Sequence, residues 1–342
     1  MQEGFFSYLG KRTLLAFFTL FVILASSYAL MRLAPGEVAR SSMIGEGVNN
    51  LSSDKTEIAQ NTSLREKLHL DKPVYVGFCL WLKAVMLHGD FGESAAVDRG
   101  RPVTTLILEA LPVTLKLNFF AILITYFLAI PLGIFSAVKS GSFFDRFVTF
   151  FLFFLFSLPV LWAALMLQSL LCKGGVFPIF PLKGLGSSAV EGYSTWKIFA
   201  KELLHYVLPV FCLSYAGFAG LSRFARAGML EVIQQDYIRT ARAKGASEFS
   251  VIFYHAFRNA IILMITLFAG ILPGLASGSI LVEYIFNIPG MGSLSMMALS
   301  SRDLPLLMGL FAFTTFLTLA GIFISDCLYV LADPRISFRS RE

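Results

Sequence analysis

The chain has 342 residues, 56% of them hydrophobic and only 15% charged, where a soluble domain carries about 25% charge. That balance describes an integral membrane protein and excludes a soluble globular domain. The net charge of +6 does not make a nucleic-acid surface, because the basic residues sit at the ends of apolar runs and in particular loops, with no free basic stripe interleaved with aromatics.

Taken in chain order, Lys11-Arg12 precede an apolar run from Thr13 to Met31. A secretory signal opens in the same way, and Ala25-Ser26-Ser27 has the small residues of a cleavage site. The run is nevertheless longer than the roughly 7–15-residue apolar core of such signals. It reads as a retained first span, so residues 1–33 form the N-terminus and first transmembrane helix. Residues 34–110 are mixed and polar, with eight basic and ten acidic side chains, and read as a small extracytoplasmic insertion. Within it Ser63-Leu64-Arg65-Glu66-Lys67-Leu68 opens an amphipathic helix with Ser63 as its cap, Pro73 ends that helix, and Val76 to Leu87 is a second apolar-faced stretch.

Five further apolar runs follow: Leu111–Val138, Phe147–Leu171, Leu203–Leu221, Ala260–Val282 and Leu304–Leu331. Each is long enough to cross about 30 Å of hydrocarbon as a helix. Pro131, Pro159, Pro209 and Pro273 fall inside the runs, which membrane helices tolerate when neighbours satisfy the freed carbonyls. The fold class is therefore an all-α integral membrane protein of six transmembrane helices, with residues 111–332 as a five-span core and 333–342 as a tail. Between the fourth and fifth spans, residues 223–259 form a polar loop. Its six cations (Arg223, Arg226, Arg239, Arg242, Lys244, Arg258) outnumber three acids (Glu231, Asp236, Glu248). Excess Lys and Arg in short loops marks the cytoplasmic side, and the same count places both termini there.

Several chemistries are missing. Cys79, Cys172, Cys212 and Cys327 are scattered, and His69, His88, His205 and His255 form no cluster, so no metal site is expected; a single Cys79–Cys172 bridge stays open. Lys116, His205, Glu283 and Asp326 lie near span ends and the span interiors carry no charge, which argues against a proton- or sodium-coupled carrier. An ion held by backbone carbonyls at broken helices keeps that alternative alive. There is no H-E-x-x-H, no G-x-S-x-G and no phosphate-cradling loop, since Gly10-Lys11-Arg12-Thr13 lacks the remainder of that motif. The chain is not expected to be an enzyme. If it moves solute uphill, the energy arrives from another subunit through a cytoplasmic surface; a passive channel or secondary carrier is the alternative.

The polar loop is where such a surface would lie. Tyr237 to Phe253 has helix-forming residues, with Ile238, Ala241, Phe249 and Ile252 as apolar contacts. Gly245 in its middle permits either a close backbone approach or a turn between two short helices. A short helix inserted into a partner's cleft is one reading, and a solvated connector is the other.

The loop resembles the "EAA" loop of ABC importer permeases, whose pattern is E-A-A-x3-G-x9-I-x-L-P. Gly245 matches the glycine and Ala241 the second alanine. Arg239 stands at the glutamate, Thr240 at the first alanine, and His255-Ala256-Phe257-Arg258 at the tail. The local form is similar to that of the oligopeptide/dipeptide (peptide/nickel) branch, and the similarity covers almost the whole chain. It includes Arg32-Leu33-Ala34-Pro35-Gly36, Gly89-Asp90-Phe91-Gly92-Glu93-Ser94, Leu111-Pro112-Val113-Thr114-Leu115 and Ile130-Pro131-Leu132-Gly133. It continues through Met229-Leu230-Glu231-Val232, Val282-Glu283, Pro289-Gly290-Met291-Gly292, Arg302-Asp303-Leu304-Pro305 and Asp333-Pro334-Arg335.

What the resemblance implies is a B-type permease subunit in a bacterial inner membrane, paired with a C-type permease. It further implies two ABC ATPase subunits that use ATP and Mg, and an extracytoplasmic solute-binding protein, with no cofactor on this chain. Substrates of that branch are dipeptides, oligopeptides, nickel chelates or related small solutes. The resemblance places Arg239, Thr240, Ala241, Arg242, Ala243, Lys244, Gly245, Ala246 and Ser247 in the ATPase-coupling region. Spacing alone adds a small-residue stripe, Gly270, Gly274 and Gly278, suited to close helix packing on the fifth span. Pro289 and Gly290 resemble an outer turn near the translocation pathway.

Overall fold

The computed structural model describes residues 2–33, 72–181, 184, 195–261, 274 and 278–332. Among them the regular elements are helical, and the only β pairings are isolated bridges, Glu93 with Pro102 and Cys172 with Phe180. The helices are α1 (Gln2–Leu33), α2 (Val74–His88), α3 (Val103–Val138), α4 (Phe143–Ser157), α5 (Val160–Leu171) and α6 (Thr195–Ile233). They continue with α7 (Asp236–Ala243), α8 (Glu248–Ser250, leading into a π-helical stretch Val251–Ala256), α9 (Ile280–Ile285), α10 (Met291–Ser301) and α11 (Leu304–Ala332). Among the described residues four helices are long and apolar enough to cross a membrane, or five if a bent pair counts as one span. The expected run Ala260–Val282 falls largely on residues outside the described ones, as do the predicted Ser63 helix and the tail from 333.

That bent pair corrects the expectation of one straight span over Phe147–Leu171. α4 and α5 meet at 95° across Leu158-Pro159. Pro159 brings no N–H to a continuing helix and its ring would crowd the preceding turn. Leu158 takes an extended backbone, ψ 122°, and its carbonyl accepts from the Tyr215 hydroxyl of α6 at 2.6 Å. A carbonyl freed inside hydrocarbon has no water to turn to, so this bond makes the break tolerable. Tyr215→Phe is expected to orphan it at about 1–3 kcal/mol. The readout is a lower apparent unfolding midpoint in detergent; an unchanged midpoint would mean that the bend stands without the hydroxyl.

The chain divides into two units, Met1–Thr114 with Ala276–Ile280 and Gly290–Glu342, and Leu115–Leu275 with Leu281–Pro289. α3 belongs to both. The helix starts at Val103, not at Leu111, because Val103 N–H donates to the Gly92 carbonyl at 2.9 Å and Glu109 is held on the helix surface by Arg101 at 2.6 Å.

In the first unit Val103, Leu106, Ile107 and Ala110 of α3 pack with Met291, Leu294 and Ala298 of α10 and Leu306, Leu307 and Leu310 of α11. A second cluster joins Leu24 and Tyr28 of α1, Phe78 of α2 and Met308 of α11. One carboxylate fastens the connecting segment. Buried Asp303 accepts from Ser94 Oγ at 2.5 Å, from the N–H groups of Ala95, Ala96 and Val97 at 2.9–3.1 Å, and from Leu306 N–H at 3.2 Å. Two of the short motifs, Gly89–Ser94 and Arg302–Pro305, therefore meet in space. Two more meet where Met291 N–H donates to Thr114 Oγ1 at 2.8 Å.

Candidate coupling site

The polar loop is shorter than its charge pattern implied, because α6 runs to Ile233. Arg223 and Arg226 lie on that helix and are engaged there. The Arg223 guanidinium stands 4.4 Å from the Phe153 ring centroid, and Arg226 forms an ion pair described below. What projects beyond α6 is a helix–turn–helix. α7 carries Asp236 in its first turn and Arg242 in its last, each with the sign that suits the helix dipole at that end.

α7 ends in a turn that needs glycine. Gly245 N–H donates to the Arg242 carbonyl at 2.9 Å and Ala246 N–H to the Ala241 carbonyl at 3.2 Å, with Gly245 at φ +80°. This is the Schellman arrangement, in which the residue after the cap is left-handed. A Cβ on Gly245 would meet nothing within 4 Å, so the glycine serves the turn and not a close approach. Ser247 then caps the next helix, its hydroxyl accepting from Ser250 N–H at 3.3 Å. Two side-chain bridges fix the pair. Arg242 forks onto Glu248 at 2.8 and 3.3 Å, and Asn259 Nδ2 donates to Tyr237 Oη at 2.9 Å.

One face of this hairpin is anchored in the second unit. Ile238 is fully buried among Ile134 and Ala137 of α3, Ala225 and Met229 of α6, and Val251, Ala256 and Ala260 beyond the turn. Ala241, Ala246 and Ile252 pack around it. Phe249 does not: it is 73% exposed and its ring lies against Phe253, so the apolar contact expected of it is not made with this anchor. The cause is the local backbone. Phe257 N–H donates to the Ile252 carbonyl five residues back, so the helix widens to π geometry between Val251 and Ala256. Val251 and Ala256, five apart, are then the buried pair, and the aromatics between and before them turn outward.

The helices below the anchor touch closely. An ideal Cβ on Gly133 would lie 2.5 Å from the Ser222 carbonyl and 2.6 Å from Ala225 Cβ, so only glycine lets α3 and α6 approach there. Beside that contact Arg226 forks onto Asp145, Nε to Oδ1 and Nη2 to Oδ2 at 2.8 Å each, while Ser136 Oγ and Gly141 N–H also donate to the carboxylate. No sequence signal marked Asp145. Its partner had been counted as a loop cation, and the two lie 81 positions apart.

Of the nine residues placed in the coupling region, Arg239, Thr240, Arg242, Ala243, Lys244, Gly245 and Ser247 are exposed, and Ala241 and Ala246 are half-buried against the anchor. The remaining candidates do not gather with them. Gly270 lies outside the described residues. Gly274 has nothing within 4 Å of a Cβ, and Gly278, at φ +69°, stands outside any helix, so the four-residue spacing does not extend to it as a helical stripe. Pro289 is exposed, whereas Gly290 is buried at the start of α10 and donates its N–H to Ser293 Oγ at 3.2 Å. The four cysteines are free thiols, so the open Cys79–Cys172 bridge is not formed.

A family profile described as "binding-protein-dependent transport system inner membrane component" matches residues 129–338, a range that contains the whole hairpin and its anchor. The chain belongs to this family. Curated relatives extend the likeness over its full length. The chain is 36% identical over 333 residues to the oligopeptide transport system permease protein AppB of Bacillus subtilis, covering 97% of this chain and 99% of the relative. It is 32% identical over 370 residues to the inner membrane ABC transporter permease protein YejB of Escherichia coli O157:H7, covering 98% and 100%. It is 34% identical over 281 residues to the peptidoglycan transport system permease protein YejB of Agrobacterium fabrum, covering 82% and 76%. The protein is thus a multi-pass permease subunit of an ABC importer and not an enzyme, and the passive-channel alternative falls.

Proposed function

We propose that the α7–turn–α8 hairpin is the surface through which an ATP-hydrolysing subunit drives this permease. The observation that carries the reading is the division of α7 into two faces. Ile238 is buried among the ends of α3 and α6, while Arg239, Thr240, Ala243 and Lys244 are exposed beside it. A push on the free face passes through close-packed side chains that do not compress, and reaches both long helices at once. The chain pairs with a C-type permease, and two ATPase subunits carry the ATP and Mg. An extracytoplasmic binding protein delivers the solute. Both termini face the cytoplasm, as the distribution of Lys and Arg requires.

The substrate class is peptides or peptide-bearing solutes, by the names of the relatives. Selectivity rests with the binding protein, because the span interiors of the sequence carry no charge with which to select a side chain.

The test is a pull-down of the tagged chain from detergent-solubilised membranes, wild type against Gly245→Val. A β-branched residue is strained at φ +80°, so the hairpin is expected to open and ATPase recovery to fall about tenfold or more while the second permease is retained. Recovery of the chain without an ATPase from wild-type membranes would sink the proposal.

A further inference from the structure

The hairpin carries an aromatic patch that its own fold does not use. Phe249 is 73% exposed, Phe253 37% and Tyr254 62%, and the Phe249 and Phe253 rings lie 4.7 Å apart, centroid to centroid. Phe249 and Phe253 are four positions apart on one helix, so they present a single face. We infer that Phe249 and Phe253, flanked by Tyr254, form the apolar anchor of this docking surface, inserting into a cleft with an acidic rim on the ATPase subunit. The inference rests on the coupling role proposed above and names the residues that carry it.

Two sites compete for exposed aromatics beside a membrane span: a protein cleft and the lipid interface. Distance separates them. The apolar run resumes at Ala260, behind exposed Arg258 and Asn259. Phe249 stands nine residues before Arg258, at most about 13 Å along the helix at the α rise of about 1.5 Å per residue and somewhat less through the π stretch Val251–Ala256. A headgroup layer is only about 5–7 Å deep, and a tilt of about 40° with the shorter π rise still leaves about 8–10 Å of height. Phe253 stands at the outer edge of that layer and Phe249 well beyond it. An aromatic held there by Ser247 and Glu248, clear of lipid, is placed for a protein.

Continuity and charge favour the same occupant. The Arg242–Glu248 fork and the Asn259–Tyr237 bond hold the patch rigidly against α7, so whatever seats on α7 meets the aromatics too. Around the patch Arg239 pairs with Asp236 at 3.6 Å and Arg242 with Glu248 at 2.8 Å, and exposed Lys244 and Arg258 leave the rim of the apolar centre with an excess of positive charge. Buried aromatic centres dominate interface energetics, with charged rims setting approach and orientation.

The full-length permease, purified with its second permease in lipid nanodiscs, is titrated with the ATPase subunit of the same importer. The Phe249→Ser/Phe253→Ser variant is expected to bind about 30-fold more weakly or worse, with an unfolding midpoint close to wild type, because neither side chain belongs to the cluster around Ile238. Phe249→Trp is expected to retain binding. Binding of the double serine variant within about threefold of wild type, while Gly245→Val loses it, overturns the anchor but leaves the coupling surface intact. Failure of wild type to bind overturns both. Quenching by brominated lipid of the emission that Phe249→Trp adds over the three native tryptophans, read as the difference from wild type in ATPase-free nanodiscs, places the patch in the bilayer and overturns the anchor.

Discussion

Asp145→Ala should be among the most damaging single substitutions in the second unit. The Asp145 side chain is 6% exposed and that of Arg226 31%. Removing the carboxylate strips a forked guanidinium of its counter-charge and leaves Ser136 Oγ and Gly141 N–H without their acceptor. Breaking a buried pair by deleting one partner costs about 3–5 kcal/mol, because the surviving charge is stranded. The apparent unfolding midpoint in detergent is expected to drop by about 6 °C or more. Asp145→Asn keeps the shape and loses the charge, so it falls between. Replacing both partners, Asp145→Ala with Arg226→Met, removes the stranded cation and is expected to recover most of the loss. A double-mutant cycle measures the coupling, and a cycle that closes with less than about 1 kcal/mol would show that the pair is ornamental. Transport should fail alongside stability, since Ala225, next to Arg226, and Met229, one turn on, support the Ile238 anchor.

The second large effect is expected at Asp303, which does two jobs with one carboxylate. It caps α11 through Leu306 N–H, and it holds the 94–97 segment by three backbone N–H groups and the Ser94 hydroxyl. Asp303→Ala leaves those buried donors unsatisfied, each costing about 1–3 kcal/mol if water cannot reach it. A loss of about 3 kcal/mol or more follows, together with faster proteolysis between Gly89 and Pro102. Asp303→Ser separates the two jobs. A serine can cap the helix, restoring about 1 kcal/mol, but is too short to hold the strap, so the proteolytic sensitivity should persist. Identical behaviour of the alanine and serine variants would show that the cap contributes nothing, and an intact strap in both would remove Asp303 from its role.

These two carboxylates mark the border of what a single sequence discloses. Composition and run length were sufficient for the membrane class, because hydrocarbon thickness sets a minimum length for an apolar helix and admits few charges. The hairpin was legible for a local reason. Gly245 between two helix-forming stretches has few roles, and the left-handed turn is the commonest of them. The absence of any catalytic or phosphate-binding motif was equally local, and it directed attention to a surface that receives energy from elsewhere.

Everything that holds these elements in place depended on partners distant in sequence. Pro159 inside an apolar run reads equally well as a kink within one span or as a corner; Tyr215, on another helix, supplies the hydrogen bond that permits the corner. Nothing in the sequence marked Asp145, and Asp303 was one residue of a short motif; only the fold brings Arg226 to the first and the 94–97 segment to the second. Phe249 fits a helical apolar face by periodicity, yet the π turn after it moves the buried register to Val251 and Ala256 and leaves the ring outside. The sequence by itself determined the membrane class and the turn at Gly245, because those follow from solvent and from local backbone freedom. Only the tertiary structure decided which charges are stranded without each other and which aromatics face outward, because both depend on what the fold brings alongside.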